Sequence, residues 1–294
     1  STSTALLAHC LKESGKDPSY FIGEVTKGFD AHAHSGKSNI FILEGDEYPS
    51  ANWDESSKFL YYNPHTVLLT SLTHDHINVY PTHESYKEPF IKLLALLPED
   101  GLLVANGDEQ YARALAETHR GKKVFYGFEK NNDWSAENIT YAEISSFDLM
   151  NKNEKIIRLE TSLLGKHNIE NIIGVSTLLL EKKLLTPLEL QNTVKTFQGV
   201  KRRMELLSQG SSVLVFEGFG SSYEKAKAAY ESAKLHFPNN RLITVFEPHT
   251  FSWRNRASLS WYDSIFNLCD KVYIYHPATQ GAKTHDQLTQ EEIV

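Results

Sequence analysis

The segment TVLLTSLTHDH, residues 66–76, joins an apolar run containing β-branched residues to a polar loop that ends in ionisable side chains. Such a run predicts a buried strand with the loop at its carboxyl end. Similar short runs occur at residues 40–43, 102–105, 213–216, 242–246 and 272–275. Segments of helical period separate them, at residues 4–13, 84–97, 108–118, 168–183, 187–197 and 223–235. This alternation predicts an α/β fold with mostly parallel sheets and crossover helices.

Length and composition restrict the class of protein. The chain has 294 residues, 40% hydrophobic and 23% charged, which suits two globular domains because single domains usually stop at about 100–200 residues. A net charge of -7 argues against nucleic acid or an anionic membrane as a partner, since both favour a basic face. No apolar run reaches the roughly 18 residues of a membrane span. The two cysteines lie far apart in sequence, which fits a reducing cytoplasm. We expect a monomer or a weak homo-oligomer.

A segment that follows neither the helical nor the strand period divides the chain. Residues 198–210 contain glycines and a basic cluster, and a new strand-loop-helix unit follows them. We therefore predict a first domain over residues 1–205 and a smaller second domain over residues 206–294. Ser1 leads directly into a helical pattern and residues 290–294 begin another, so we expect a fragment of a longer protein.

Hydroxyl residues open the chain. Ser1-Thr2-Ser3-Thr4 precedes residues 5–11, which are mostly apolar and helical in pattern. Alone, such a run is typical of an ordinary helix N-cap. It is also typical of the end of a P-loop, in which a glycine-rich turn and a lysine precede a helix that binds phosphate and Mg²⁺. The glycines and the lysine of that motif would lie upstream of Ser1.

Two predicted strands end in candidate ligands. Glu44-Gly45-Asp46-Glu47 follows the first strand, at the edge where parallel sheets bind ligands, and its carboxylates suit Mg²⁺. Asp75 and His76 follow the next strand, where they could bind a metal ion or act as a general base. A solvated acidic turn and a hydrogen-bonded loop are the ordinary alternatives. Because Glu44 and His76 follow neighbouring strands, we expect their side chains to face the N-terminus of the helix near Ser1 across one shared cleft.

Amides and arginines further along could contact a nucleotide. Asn168 and Asn171 lie three residues apart, hence on one helix face, and an amide offers the paired donor and acceptor that an adenine edge needs. Arg202 and Arg203 could contact phosphate oxygens, because the guanidinium fork matches them. A helix cap and a solvated basic hinge explain the same residues without a ligand.

Two glycine motifs favour other interpretations. Residues 35–38, Ser-Gly-Lys-Ser, end like a P-loop but lead into a predicted strand, so we interpret them as a turn. Gly218 and Gly220 lie between a predicted strand and a predicted helix and form part of a dinucleotide-binding fingerprint. A nicotinamide-dependent oxidoreductase is therefore an alternative, with Glu247 as its acidic residue.

The order of these motifs resembles that of the Mur ligase family over nearly the whole chain. Residues 1–5 are similar to those after the P-loop lysine of that family, residues 44–47 to its Glu-Ala-Asp-Glu strand end, and residues 73–80 to its Asp-His-x-Asp-x-Tyr loop. Residues 164–171 and 199–205 are similar to its adenine and linker motifs. Residues 47–59 are most like the branch that recycles murein peptides, and the branch that adds L-alanine is second.

The resemblance implies a P-loop-type central domain followed by a smaller Rossmann-like domain, and an ATP-dependent amide ligase. A UDP-N-acetylmuramate carboxylate would take phosphate from ATP, and the amine of a peptide or amino acid would then displace it. The resemblance assigns metal binding to Ser1, Glu44 and His76, cofactor binding to Ser1, Thr2, Asn168, Asn171 and Arg203, and catalysis to Glu44, His76 and Arg203. Residues 217–223 depart from the family pattern, which leaves a non-catalytic interaction module as a second alternative.

Overall fold

The computed structural model describes residues 1–74, 79–208, 210–275 and 287–293. Contacts between Cα atoms divide the chain into two compact units. Unit 1 comprises Ser1–Thr140, Ile144–Leu163 and His167–Val200. Unit 2 comprises Tyr141–Glu143, Leu164–Lys166 and Lys201–Val294. The second unit thus includes two short segments that precede its main part in sequence.

The elements up to residue 200 include both strands and α-helices, with several strands in succession. The strands are β1 (Ser19–Phe21), β2 (Ala33–His34), β3 (Phe41–Leu43), β4 (Pro49–Ala51), β5 (Asp54–Ser57), β6 (Thr66–Leu69), β7 (Leu102–Asn106), β8 (Lys122–Tyr126), β9 (Trp134–Thr140), β10 (Ser145–Asn151) and β11 (Glu154–Thr161). The helices are α1 (Thr2–Glu13), α2 (His83–Ala95), α3 (Gln110–Thr118), α4 (Lys166–Glu181) and α5 (Pro187–Thr196).

A six-stranded sheet in the order β11-β10-β9-β8-β7-β6 forms the centre of unit 1. The four strands from β6 to β9 are parallel, whereas β9, β10 and β11 form an antiparallel meander. All five residues of β7 are buried, as expected for a strand inside a parallel sheet with covered faces. The α/β prediction is confirmed, although the sequence patterns predict none of β8 to β11.

A separate three-stranded sheet has the order β2-β1-β3, with β1 and β3 parallel. Among the described strands, β3 pairs with β1 and β6 pairs with β7, so the strands before Glu44 and His76 are not hydrogen-bonded neighbours. The expectation that these strands are neighbours is wrong: β3 ends one sheet, where it pairs with β1, a short strand that the apolar runs do not reveal, and β6 ends another.

The core of unit 1 packs α2 and α3 against the parallel strands. Phe90 of α2, Leu115 of α3 and Leu103 of β7 belong to one buried cluster. Gly174 lies in the middle of α4 against β8, and a Cβ atom there would come within 2.6 Å of the Tyr126 ring. Glycine is therefore needed at this position for the close approach of helix and strand.

Unit 2 is a smaller α/β unit. Its strands are β12 (Arg203–Leu206), β13 (Phe216–Gly218), β14 (Ile243–Phe246) and β15 (Lys271–Ile274), and its helices are α6 (Tyr223–His236), α7 (Phe251–Arg254), α8 (Tyr262–Ile265) and α9 (Gln290–Ile293). The pair β14-β15 is parallel, and β12-β13 is antiparallel. The predicted domain boundary after residue 205 falls inside β12, whereas the contacts divide the chain after Val200.

One strand of unit 2 is shorter than predicted. The strand predicted at residues 213–216 begins only at Phe216, and the apolar side chains of Val213, Leu214 and Val215 are exposed. Apolar character alone therefore placed that strand too early.

Within the described ranges, we find no helix with the length and hydropathy needed to cross a bilayer.

Candidate functional site

The carboxylate of Glu44, directly after β3, meets the start of α1. Its Oε1 atom accepts a hydrogen bond from the Ser1 hydroxyl at 2.6 Å. Its Oε2 atom accepts the Gly23 N–H at 2.7 Å. Burial acts to raise the pKa of Glu44, whereas the hydrogen bonds from the Ser1 hydroxyl and the Gly23 N–H act to lower it. The Glu44 carboxylate therefore faces the start of α1, as predicted.

The parallel pairing of β1 and β3 explains how Glu44 reaches this position. Phe21 pairs with Leu43, and the Glu44 N–H continues the ladder by donating to the Phe21 carbonyl at 3.2 Å. Gly23 follows on the neighbouring chain, where a Cβ atom would lie 3.1 Å from Glu44 Oε2. The small residue lets its backbone N–H approach the carboxylate closely.

The Ser1 hydroxyl is engaged with Glu44 rather than with its own helix. Ser1 is the N-cap of α1, and within the part of the chain that the structure describes its side chain makes no capping hydrogen bond. The first N–H groups of a helix have no partner within that helix and, with the helix dipole, favour an anion such as phosphate. A charged carboxylate, a hydroxyl and a helix N-terminus therefore meet at one place.

A second contact joins the first turn of α1 to α4. Ser3 donates to Asn171 Oδ1 at 2.9 Å, and Asn171 donates to Asn168 Oδ1 at a longer 3.5 Å. Asn168 is buried and Asn171 is half-buried, while Thr2 is half-buried in the same turn as Ser3. The sequence predicts no separate role for Ser3, whose one signal is its place among the hydroxyl residues that open the chain.

The neighbouring acidic residues have structural partners. Asp46 accepts Lys58 Nζ at 2.6 Å and the Tyr48 N–H at 2.9 Å, and the Glu47 carbonyl accepts the Tyr80 hydroxyl. Across the described ranges, three or more His, Cys, Asp and Glu side chains never converge as a metal site. A Mg²⁺ ion needs only one or two protein carboxylates, with water and phosphate completing its shell, so Glu44 and Ser1 fit such an ion.

His76, Asp75 and Asn78 lie outside the described residues. The residues on either side of them are anchored: His74 Nε2 lies 2.7 Å from the Tyr80 carbonyl oxygen, and the Tyr80 hydroxyl lies 3.0 Å from Ser57 Oγ. The assignment of a metal to His76 stays a prediction.

The arginines of the linker belong to unit 2. Arg203 begins β12, and its assignment to phosphate stays a prediction. The Arg202 guanidinium lies over the Phe219 ring, 5.0 Å from its centroid, and 3.3 Å from Glu217 Oε1. Arg202 is thus engaged with the loop where this chain departs from the family pattern.

The two glycine motifs take structural roles. Residues 35–40 contain a bend at 37–39 and lead into β3 rather than into a helix, and a Cβ atom on Gly36 would lie 2.1 Å from the Asp17 carbonyl oxygen, so the turn interpretation is confirmed. Gly218 ends β13, which among the described strands pairs only with β12 and in antiparallel fashion. A dinucleotide fingerprint requires a parallel βαβ unit, so this geometry disfavours the oxidoreductase alternative.

Comparisons with known proteins agree with the motif order. The Mur ligase middle domain family matches residues 1–179. The UDP-N-acetylmuramate–L-alanine ligase of Hydrogenobaculum sp. is 29% identical over 278 residues, covering 93% of this chain and 59% of the relative. This chain therefore spans about three fifths of the length of that relative.

Solved structures show the same fold. The UDP-N-acetylmuramate–alanine ligase of Thermotoga maritima superposes with a TM-score of 0.74 at 19% identity, covering 94% of this chain and 59% of that one. A murein peptide ligase of Psychrobacter arcticus gives a TM-score of 0.65 at 22% identity, covering 94% and 61%. At these identities the likeness concerns the fold alone.

Proposed function

This chain belongs to the Mur ligase family, and on that premise we propose that the whole protein is an ATP-dependent amide ligase. It joins the carboxylate of UDP-N-acetylmuramate to the amine of an amino acid or a peptide. The observation that carries the proposal is the meeting of the ionised Glu44 carboxylate, the Ser1 hydroxyl and the N-terminus of α1. These are the groups that a metal-bound polyphosphate requires.

The reaction proceeds in two displacements. The muramyl carboxylate attacks the γ-phosphorus of ATP and ADP leaves, which gives an acyl phosphate. The acceptor amine then attacks the acyl carbon, inorganic phosphate leaves, and the amine loses a proton. Phosphoryl transfer depends mainly on positioning and charge neutralisation, so the protein acts by holding the phosphates and excluding water.

Different residues of unit 1 are assigned to the phosphates, the metal ion and the adenine. The helix N-terminus of α1 orients the phosphates, and Glu44 and Ser1 would hold Mg²⁺, which neutralises phosphate charge when bound. Ser3 and Asn171 link that helix to Asn168, so the phosphate-binding turn and the residues assigned to adenine are fixed with respect to each other. Thr2 is assigned to the phosphates by its place in the same turn.

The acceptor is either L-alanine or a peptide. The Hydrogenobaculum relative is an L-alanine ligase, which supports an amino acid. Residues 47–59 are more like the peptide-adding branch, which supports a peptide. The two are separated by supplying each acceptor to the same enzyme.

The proposal is tested with the full-length protein by measuring phosphate release from ATP with UDP-N-acetylmuramate and either acceptor. Glu44→Gln should lower kcat by about 100-fold or more, because an uncharged amide cannot replace the carboxylate beside the phosphates. Glu99→Gln, an exposed position in a turn, is the matched control and should retain full activity. Phosphate release that does not depend on UDP-N-acetylmuramate, or an unchanged kcat in Glu44→Gln, would contradict the proposal.

A further inference from the structure

The start of α1 makes side-chain contacts with two different elements. The Ser1 hydroxyl donates to Glu44, which follows β3, at 2.6 Å. The Ser3 hydroxyl donates at 2.9 Å to Oδ1 of Asn171, which lies in α4. The same helix start is therefore connected both to the carboxylate that fits Mg²⁺ and to a residue assigned to adenine.

The side-chain amide of Asn171 is hydrogen-bonded in a defined direction. Its Oδ1 atom accepts the Ser3 hydroxyl, and its Nδ2 atom donates to Asn168 Oδ1 at 3.5 Å. A flipped amide, with oxygen and nitrogen exchanged, would place Asn171 Oδ1 against Asn168 Oδ1, and two acceptor oxygens repel each other. Ser3 and Asn168 thus favour the same orientation of the Asn171 amide.

The helices that carry this pair are anchored in the core of unit 1. Leu6 of α1 and Ile172 of α4 are fully buried. Ser3 and Asn171 themselves are half-buried, so part of the amide is still open to a ligand. The orientation of Asn171 is therefore set before a nucleotide binds, and binding costs little conformational entropy.

The orientation of an amide decides which base it can pair with. Adenine carries an exocyclic amino group, which donates a hydrogen bond, whereas hypoxanthine carries a carbonyl oxygen at the same position, which accepts one. An amide held in one direction presents a fixed donor and a fixed acceptor, so it can favour one of these bases over the other. An amide that is free to flip can satisfy both.

We propose that Ser3 is a positioning residue that sets the orientation of the Asn171 amide and, through it, the preference for adenine. The inference rests on the proposed function, which makes ATP the nucleotide. It gives Ser3 a role in recognising the base, although Ser3 lies in the helix start that is assigned to the phosphates. The effect of Ser3 should therefore appear in nucleotide affinity and selectivity, and the rate of the chemical step should depend on Ser1 and Glu44.

The test compares ATP with inosine triphosphate, ITP, in the full-length enzyme. Ser3→Ala should raise the KM for ATP roughly 3- to 10-fold, as expected for loss of one hydrogen bond, and leave kcat unchanged. It should also reduce the preference for ATP over ITP, because the Asn171 amide can then flip. Ser3→Thr keeps the hydroxyl and should recover both the KM and the preference. Ser14→Ala removes a hydroxyl that donates to the Leu11 carbonyl at the other end of α1, so it is the matched control and should change neither KM.

A double-mutant cycle shows whether Ser3 acts through Asn171. In an Asn171→Ala background, Ser3→Ala should cause no further loss of ATP affinity, whereas additive losses would mean that the two residues act independently. Calorimetric binding of ATP and ITP in the absence of the other substrates separates this inference from the proposed function. Without ligation in the parent the ligase proposal fails, while the two affinities still report on Ser3.

The preference for ATP over ITP decides between a positioning role and a purely structural one. A preference that decreases in Ser3→Ala and returns in Ser3→Thr supports the inference. Equal losses of affinity for ATP and ITP would overturn it, because the substitution would then have disturbed α1 as a whole. An unchanged ATP affinity in Ser3→Ala, or a parent that does not prefer ATP, would overturn it as well.

Discussion

The N-termini of α1 and α6 differ in what their serine N-caps contact. At α1 the Ser1 hydroxyl donates to Glu44 at 2.6 Å instead of capping the helix. At α6 the Ser222 hydroxyl accepts the Lys225 N–H at 3.5 Å, which is an ordinary if long cap. The turn before α6 is also engaged, because the Gly220 carbonyl accepts Trp253 Nε1 at 2.6 Å. A helix with a serine N-cap can therefore offer its N-terminal N–H groups to a ligand or have them capped by its own residues. The hydrogen-bond partner of the serine hydroxyl distinguishes the two cases.

The largest effect should come from the reacting end of the nucleotide. In the full-length enzyme, His76→Ala should abolish ligation while leaving ATP affinity largely intact, because the resemblance places His76 near the acyl phosphate, where charge develops in the transition state. Asn168→Ala should mainly raise the KM for ATP, since the adenine does not change during the reaction. Phosphate release and ATP binding, measured on both variants, check this division. Full activity in His76→Ala would remove His76 from the site.

The two serines provide the next largest difference. Ser1→Ala should lower kcat by about 100-fold, since it removes both the hydroxyl ligand and the hydrogen bond to Glu44. Ser222→Ala should leave kcat unchanged and lower the free energy of unfolding by about 1 kcal/mol or less, as expected for loss of a helix cap. Steady-state kinetics and urea unfolding of both variants give the comparison. Similar kinetic losses in the two variants would mean that the α6 N-terminus also serves the reaction.

The elements that the sequence predicts well are those with a single regular period. Strand β7 is buried along its whole length and consists of the apolar run LLVA followed by Asn106, and α1 begins in the hydroxyl run as expected. The meander β9 to β11 is missed because charged and polar residues interrupt its apolar residues. Asp148 in β10 is buried, and its partners Arg158 and Lys155 lie on the adjacent strand β11. Cross-strand pairing of this kind satisfies a buried carboxylate, and no local pattern reveals it.

The same limit applies to the candidate site. The contact between Ser1 and Glu44 could be expected, because a helix cap and a strand end have recognisable local signals. The contact between Ser3 and Asn171 joins residues 168 positions apart and could not be expected from either segment alone.

The smallest effect should be a pH dependence of the free energy of unfolding of unit 2. There a neutral histidine accepts a backbone N–H, as the charged Glu44 does in unit 1. The buried His236, at the end of α6, accepts the Gly165 N–H on Nε2 at 2.8 Å, so Nδ1 carries the proton and donates to the Ala142 carbonyl at 2.7 Å. Burial lowers the pKa of His236, although the hydrogen bond to Ala142 acts in the opposite direction. Protonation would add a second N–H and remove the acceptor that Gly165 needs.

The sign of the effect follows from the lowered pKa. Below about pH 6.5 the unfolded chain binds a proton at His236 that the folded unit binds less readily, so the free energy of unfolding should decrease as the pH falls through this range and be unaffected above it. Urea unfolding of this chain at pH 7.5 and pH 5.5, followed by fluorescence, measures the change. In His236→Gln the part of the pH dependence due to this residue should vanish, even if the variant is less stable at both pH values. His65→Gln, at a side chain that is 55% exposed, is the matched control and should retain the parent's response. An identical decrease at pH 5.5 in the parent and in His236→Gln would show that other groups cause it.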